Sequence, residues 1–267
     1  IQFEVSKKLT DSTPEVATVD GYELRDYQRS AVEAALANQR GVLHMATNAG
    51  KTLVAASIIK ATGNKAVVIV PTRALLLQTA DKLEEMLGIP VGRYGAGYAD
   101  VMDVNVTTMA SLKNLVDVDL DDNQTLIIDE AHHSRSDSIF DNAFDIPGSY
   151  RIGMSGTPLT HDALSDLKLI GATGPIIYQV LNSELIDDGW SVRPVIYFHT
   201  INTPDRYGMK WQAAYRDCIV NNDARNGEIV WLAAGEAERG PVLILTNWIE
   251  HADAITDKMM NATKLTG

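Results

Sequence analysis

His44-Met45-Ala46-Thr47-Asn48-Ala49-Gly50-Lys51-Thr52 follows the apolar run Gly41-Val42-Leu43, and its reading decides the fold. It ends as a phosphate-binding loop ends, in Gly50-Lys51-Thr52. The strict pattern G-x-x-x-x-G-K-[ST] asks for glycine where Met45 stands, and Asn48 and Ala49 fill the turn. Such a loop needs converging backbone N–H groups, a flexible cation and a hydroxyl for Mg²⁺. Gly50 leaves room for close backbone approach, Lys51 supplies the cation, and Thr52 supplies the hydroxyl at a helix start. Asn48 is the best non-glycine choice where φ must be positive. Alone, Ala49 to Thr52 after a strand equally suits an ordinary helix start.

Outward from the loop, short β-rich runs alternate with helical stretches. Val42-Leu43-His44 precedes a helix over 51–61. Ala66 to Val70 precedes a helix over 73–87, and Val104-Asn105-Val106 one near 110–115. Thr125 to Ile128 is a fourth strand and Tyr150 to Met154 a fifth. Near-continuous Val/Ile runs are strands buried on both faces, and alternation with helices makes the sheet parallel. The fold class is therefore α/β, a doubly wound parallel sheet with ligands beyond the carboxyl ends of its strands.

At such an end, Thr125-Leu126-Ile127-Ile128 runs straight into Asp129-Glu130. One acid there can hold the Mg²⁺ that bridges the β- and γ-phosphates, and the next can orient or deprotonate the attacking water. A lone Asp-Glu pair also makes a solvated acidic loop. Together with Gly50-Lys51-Thr52, it reads as a site that hydrolyses a nucleoside triphosphate.

"ATNAGKT" (46–52), "VPTRALLLQ" (70–78), "TTMASL" (107–112), "DEAHH" (129–133) and "GMSGTP" (153–158) occur in this order. The set resembles the first motor domain of superfamily 2 helicases of the DEAH-box type, strongly over about 24–157. The resemblance implies a RecA-like domain, ATP and Mg²⁺. "LRDYQ" (24–28) resembles the adenine-reading segment, with Gln28 as the base contact and Arg25 as its helper; a plain helix start is the alternative. Thr47, Asn48, Ala49, Gly50, Lys51 and Thr52 would cradle the phosphates. Thr52 and Asp129 would hold the metal, Glu130 would be the catalytic base, and His132 would link the γ-phosphate site to neighbouring motifs. His133 reads as a packed or solvated neighbour, and the spacing of the four residues matches no common zinc pattern.

Thr72, Arg73, Thr107 and Thr108 fall in segments resembling those that grip a nucleic-acid backbone. Arg73 can pair with a phosphate, while the threonines offer hydroxyls and amides, or simply cap helices. Ser155-Gly156-Thr157 resembles the motif that couples hydrolysis to movement, although Gly-Thr-Pro is also an ordinary turn. Ala49-Gly50 and Ser155-Gly156-Thr157 resemble excision-repair and phage recombination helicases, so DNA is the expected track, in repair or recombination. An RNA helicase and a restriction-enzyme motor subunit are the alternatives. A nucleotide-binding regulatory module without hydrolysis is the reading from a different class.

Beyond residue 170 the resemblance softens. "ELIDDGWSVRPVIYF" (184–198) is similar to the passage joining two motor domains. The expected domains are 1–190, with 1–22 a leading segment, and 191–267, the start of a second RecA-like domain. In the latter, strands are expected at Val195 to Thr200 and Val242 to Leu245, and helices over 210–236 and 249–260. The arginine-bearing segment with which the family completes its site from across the cleft has no counterpart here, and Ile1 replaces an initiator methionine. Both suggest a piece of a longer protein.

Of 267 residues, 45% are hydrophobic and 22% charged, as in a globular protein. The net charge of −12 excludes bulk electrostatic binding of nucleic acid and leaves only a local patch. One cysteine, Cys218, excludes an internal disulfide framework and fits a reducing compartment. No apolar run has membrane-spanning length and no signal-peptide pattern is present, so an intracellular location, cytoplasmic or nuclear, is expected.

Overall fold

The computed structural model describes residues 13–63, 65–112, 124–132, 148–159, 162–201 and 207–265. The chain divides into two compact units, Ile1–Arg193 and Pro194–Gly267.

The first unit is built on an eight-stranded sheet. Its strands are β1 (Arg40–Met45), β2 (Lys65–Val70), β3 (Val91–Gly95), β4 (Tyr98–Ala99), β5 (Val104–Thr108), β6 (Gln124–Asp129), β7 (Tyr150–Ser155) and β8 (Ile176–Val180). They lie in the order β4-β3-β5-β2-β6-β7-β1-β8. All pair in parallel except the β3–β4 hairpin. Among the described residues the unit's helices include α1 (Asp26–Asn38), α2 (Lys51–Thr62), α3 (Arg73–Leu87), α4 (Ala163–Thr173) and α5 (Asn182–Asp187).

Alternation along the strands explains why a continuous apolar run is needed. Leu43, Val68, Val70 and Ile127 join Val32, Leu36, Val54, Ile58, Leu76 and Leu83 of α1 to α3 in one core. Their chain neighbours Val42, Val67, Ile69, Leu126 and Ile128 point the other way and pack with Leu169 of α4, Met109 and Leu112. Helix α3 starts where Thr72 accepts the Leu75 N–H and stops where Gly88 turns left-handed at φ 67°.

The sheet is larger than its five expected strands. The edge strands β4 and β8 and the next strand in, β3, lack long Val/Ile runs, and β8, "IIYQV", is only partly buried. Of the helix expected near 110–115, the described residues show a 3₁₀ turn at Met109–Ser111 leading into helical Leu112; 113–115 lie outside the described residues.

In the second unit the helices are α6 (Trp211–Tyr215), α7 (Asp223–Ala237) and α8 (Ile249–Thr256), with a π-helical turn at Arg216–Val220. The expected single helix over 210–236 is therefore broken. Asn222 takes an extended conformation and its side chain accepts the Arg225 N–H, starting α7 anew. Neither expected strand forms: 192–200 and 241–246 carry no regular structure. Phe198 is 92% and Leu245 83% exposed, as expected of β-prone segments with no neighbouring strand to complete their hydrogen bonds. Among the described residues no helix is long and apolar enough to cross a membrane.

Candidate nucleotide site

Parallel pairing brings the singled-out segments to one edge of the sheet. The 46–50 loop leaves β1, Thr72-Arg73 follows β2, Thr107-Thr108 ends β5, Asp129-Glu130 ends β6, and Ser155-Gly156-Thr157 ends β7. On β6, β7 and β1, register places Asp129 beside Met154 and Ser155 beside His44.

The loop has the backbone its residues imply. Asn48 and Gly50 are left-handed, at φ 68° and 76°. Thr47, Asn48 and Gly50 are exposed, while Ala49 is buried. The positive φ favours glycine at position 50, and a Cβ there would lie 2.3 Å from Nε2 of Gln28 and displace that amide. Gln28 is buried, with Nε2 donating to the Ala49 carbonyl at 3.0 Å and Oε1 accepting the Arg25 N–H at 3.0 Å. It braces the loop from α1, and both ends of its amide are engaged within the protein. Arg25 donates to the Tyr27 hydroxyl and stacks on the Trp190 ring, 4.1 Å from its centroid.

Lys51 Nζ lies 3.1 Å from Glu130 Oε1, joining the loop to the end of β6. Glu130 is itself left-handed, at φ 48°, and its N–H donates to Asp129 Oδ1 at 3.0 Å. A strained conformation in a glutamate at a strand end holds its carboxylate toward the loop. Glu130 Oε2 is 3.4 Å from His132 Nδ1, which lies 2.9 Å from Ser155 Oγ. Ser155 Oγ also accepts the Thr157 N–H at 3.1 Å. Lys51, Glu130, His132 and Ser155 thus form a run of polar contacts. Burial, with the charge of Glu130 adding to it, raises the Asp129 pKa above the ordinary carboxylate value; Lys51 and the Glu130 N–H act the other way.

The nucleic-acid candidates divide. Thr72 and Arg73 are exposed; the Thr72 hydroxyl oxygen caps α3, leaving its O–H free to donate, and Arg73 lies over the Tyr98 ring at 5.7 Å. Thr107 and Thr108 are buried instead, and Thr108 donates to Ser111 Oγ at 3.0 Å. Both lie at the carboxyl end of β5, an interior strand of the sheet. Among the described residues no cluster of His, Cys, Asp and Glu has the form of a metal-binding group, and His133 lies outside them. One neighbour of the site went unread in the sequence: His44, whose ring sits 3.0 Å from the Gly156 carbonyl.

Residues 21–160 match the family described as "Type III restriction enzyme, res subunit", which is more than half the chain. The chain belongs to this family. It is a superfamily 2 helicase chain, related to repair and phage recombination helicases. It is 34% identical over 186 residues to the DNA 3'-5' translocase XPB2 of Sulfurisphaera tokodaii, matching 69% of this chain and 42% of that one. Against the ATP-dependent DNA helicase uvsW of Enterobacteria phage T4, identity is 25% over 254 residues, 88% of this chain and 50% of the relative. The chain therefore spans about half or less of these relatives. In fold, it is similar to a nuclease-deletion mutant of the Type ISP restriction-modification enzyme LlaGI solved with a DNA substrate mimic. The TM-score is 0.53 at 21% identity, covering 62% of this chain and 18% of that one.

Proposed function

We propose that this chain carries the ATP-binding face of a DNA helicase or translocase of the DEAH-box type. The observation that carries the reading is the Lys51–Glu130 contact at 3.1 Å, which joins a phosphate-loop lysine to the acidic end of another strand. In the reading, Lys51 leaves Glu130 for the β- and γ-phosphates of ATP, while the amides of 47–52 converge on the same charge. Glu130, relieved of its cation, becomes the base that orients and deprotonates the attacking water. Thr52 and Asp129 would hold Mg²⁺, and the fit is supported by Asp129, a half-buried carboxylate whose charge is under-compensated. When bound, the ion would neutralise phosphate charge during transfer. Gln28, with Arg25 beside it, faces the adenine side; to read the base it must exchange its contact with Ala49. Glu130, His132 and Ser155 form the route by which the state of the γ-phosphate reaches Gly156 and Thr157. Arg73 and Thr72 grip the backbone of DNA, with Thr107 and Thr108 supporting them from within the sheet. Contacts of this kind read no base, as a motor on any sequence requires.

Two variants of the full-length protein test the reading. Lys51→Ala should weaken Mg-ATP binding by about 2 kcal/mol or more, the value of a charged hydrogen bond. Glu130→Gln should keep binding but lose about 10²-fold or more in turnover. Calorimetry with unchanged affinity in the first, or equal loss of binding and turnover in the second, would overturn the assigned roles.

A further inference from the structure

We propose that His44 is a positioning residue that makes the Ser155–Thr157 turn respond to the occupied phosphate loop. The inference rests on the ATP-binding reading above. His44 is the penultimate residue of β1, just before the loop, and is in register with Ser155 of β7. Its Nε2 lies 3.0 Å from the Gly156 carbonyl and its Nδ1 3.2 Å from Gln179 Oε1 on β8. A neutral imidazole donates from one nitrogen only; Nε2–H to the Gly156 carbonyl leaves Nδ1 to accept from the Gln179 amide once that amide is turned over. The ring is thereby held between the turn after β7 and strand β8.

Gly156 also lies directly against the loop. A Cβ placed on it would stand 3.6 Å from the Thr47 nitrogen and 3.5 Å from the Met45 carbonyl. The turn is thus gripped at two points. Ser155 Oγ meets His132 on the side of the carboxylates, and the Gly156 carbonyl meets His44 on the side of the loop. With the carbonyl pinned to β1, a displacement of the loop by phosphate is passed to Gly156 rather than lost in a free turn. Without the pin, the turn keeps its bond to His132 and loses its register with the loop.

The test is hydrogen–deuterium exchange of this chain with and without Mg-AMP-PNP, in wild type, His44→Leu and His44→Gln. Leucine keeps the volume and removes the donor, while glutamine restores an N–H toward the same carbonyl. Nucleotide should slow exchange over 47–52 and over 155–157 in wild type. In His44→Leu, AMP-PNP affinity should stay within about threefold and protection of 47–52 should remain, while protection of 155–157 falls by about tenfold or more. His44→Gln should recover most of it. Should the leucine variant fail to fold by circular dichroism, His44→Glu against His44→Gln makes the same comparison, since the carboxylate accepts where the amide donates. Unchanged protection of 155–157 without the donor, or joint loss over both segments, would overturn the proposal. No nucleotide effect on 47–52 in wild type would overturn the ATP reading and this inference with it.

Discussion

Asp129 and Glu130 are adjacent carboxylates in different circumstances. Glu130 has Lys51 against one oxygen and His132 near the other. Asp129 is held by the Glu130 N–H at the mouth of an apolar strand, and its folded-state pKa is raised. A raised carboxylate favours folding below its ordinary value, and that contribution is lost as pH rises through the folded value. At neutral pH the ionised group therefore costs stability in the protein without bound cation. Asp129→Asn should raise the melting temperature of the nucleotide-free chain at pH 7.5 by a few degrees. Its advantage should shrink as pH falls toward the ordinary carboxylate range. A lower melting temperature at pH 7.5, by calorimetry, would show that Asp129 is compensated after all. At this scale the sequence was informative where a backbone demand selects a residue type: Asn48 takes the positive φ expected of it. It was silent on Glu130, because nothing in a glutamate announces a left-handed conformation.

Elements were legible where both faces are buried. The strands β1, β2, β5, β6 and β7 came from Val/Ile runs, whereas β3, β4 and β8 sit at or near the edges, where burial is partial and the pattern weak. The helix over 210–236 was read through Asn221-Asn222 because its apolar content continues; the cap at Asn222 restarts it. What then joins the pieces is a polar contact. Buried His251 of α8 bonds Asn226 of α7 at 2.9 Å, and Asn226 Nδ2 donates to the Val220 carbonyl at 2.8 Å. Burial first, and the charge of Arg225 second, lower the His251 pKa below 6.5. The unfolded chain then takes the proton first, so the stability of this unit is full above that value and declines as pH falls below it. The near-UV circular dichroism of the Trp211, Tyr215 and Trp248 cluster should weaken between pH 7 and 5 in wild type. His251→Gln should flatten the response; an unchanged pH profile in that variant would place the sensitivity elsewhere.

At the scale of the whole molecule, charge limits how DNA could be held. With 35 acidic against 23 basic residues, the proposed contact depends on a few local groups, Arg73 first among them. The logarithm of DNA affinity should then fall with the logarithm of salt with a slope shallower than about −3, and Arg73→Ala should reduce that slope by about 1. A slope near −8 in a fluorescence-anisotropy titration would reveal a basic surface that neither the net charge nor the chosen residues explain.

The sequence by itself determined the parallel α/β class, the loop at 46–52 and the acids at 129–130. Each rests on a local demand: burial of both strand faces, positive φ with a cation, or carboxylates at a strand end. Tertiary structure alone decided the strand order, which inserts β7 between β6 and β1 and so sets Ser155 between the acids and His44. It also decided that Thr107 and Thr108 are buried and that Gln28 braces the loop through the Ala49 carbonyl. These outcomes depend on which strands become neighbours. That is settled by the packing of segments far apart in the chain, which no single stretch of residues encodes.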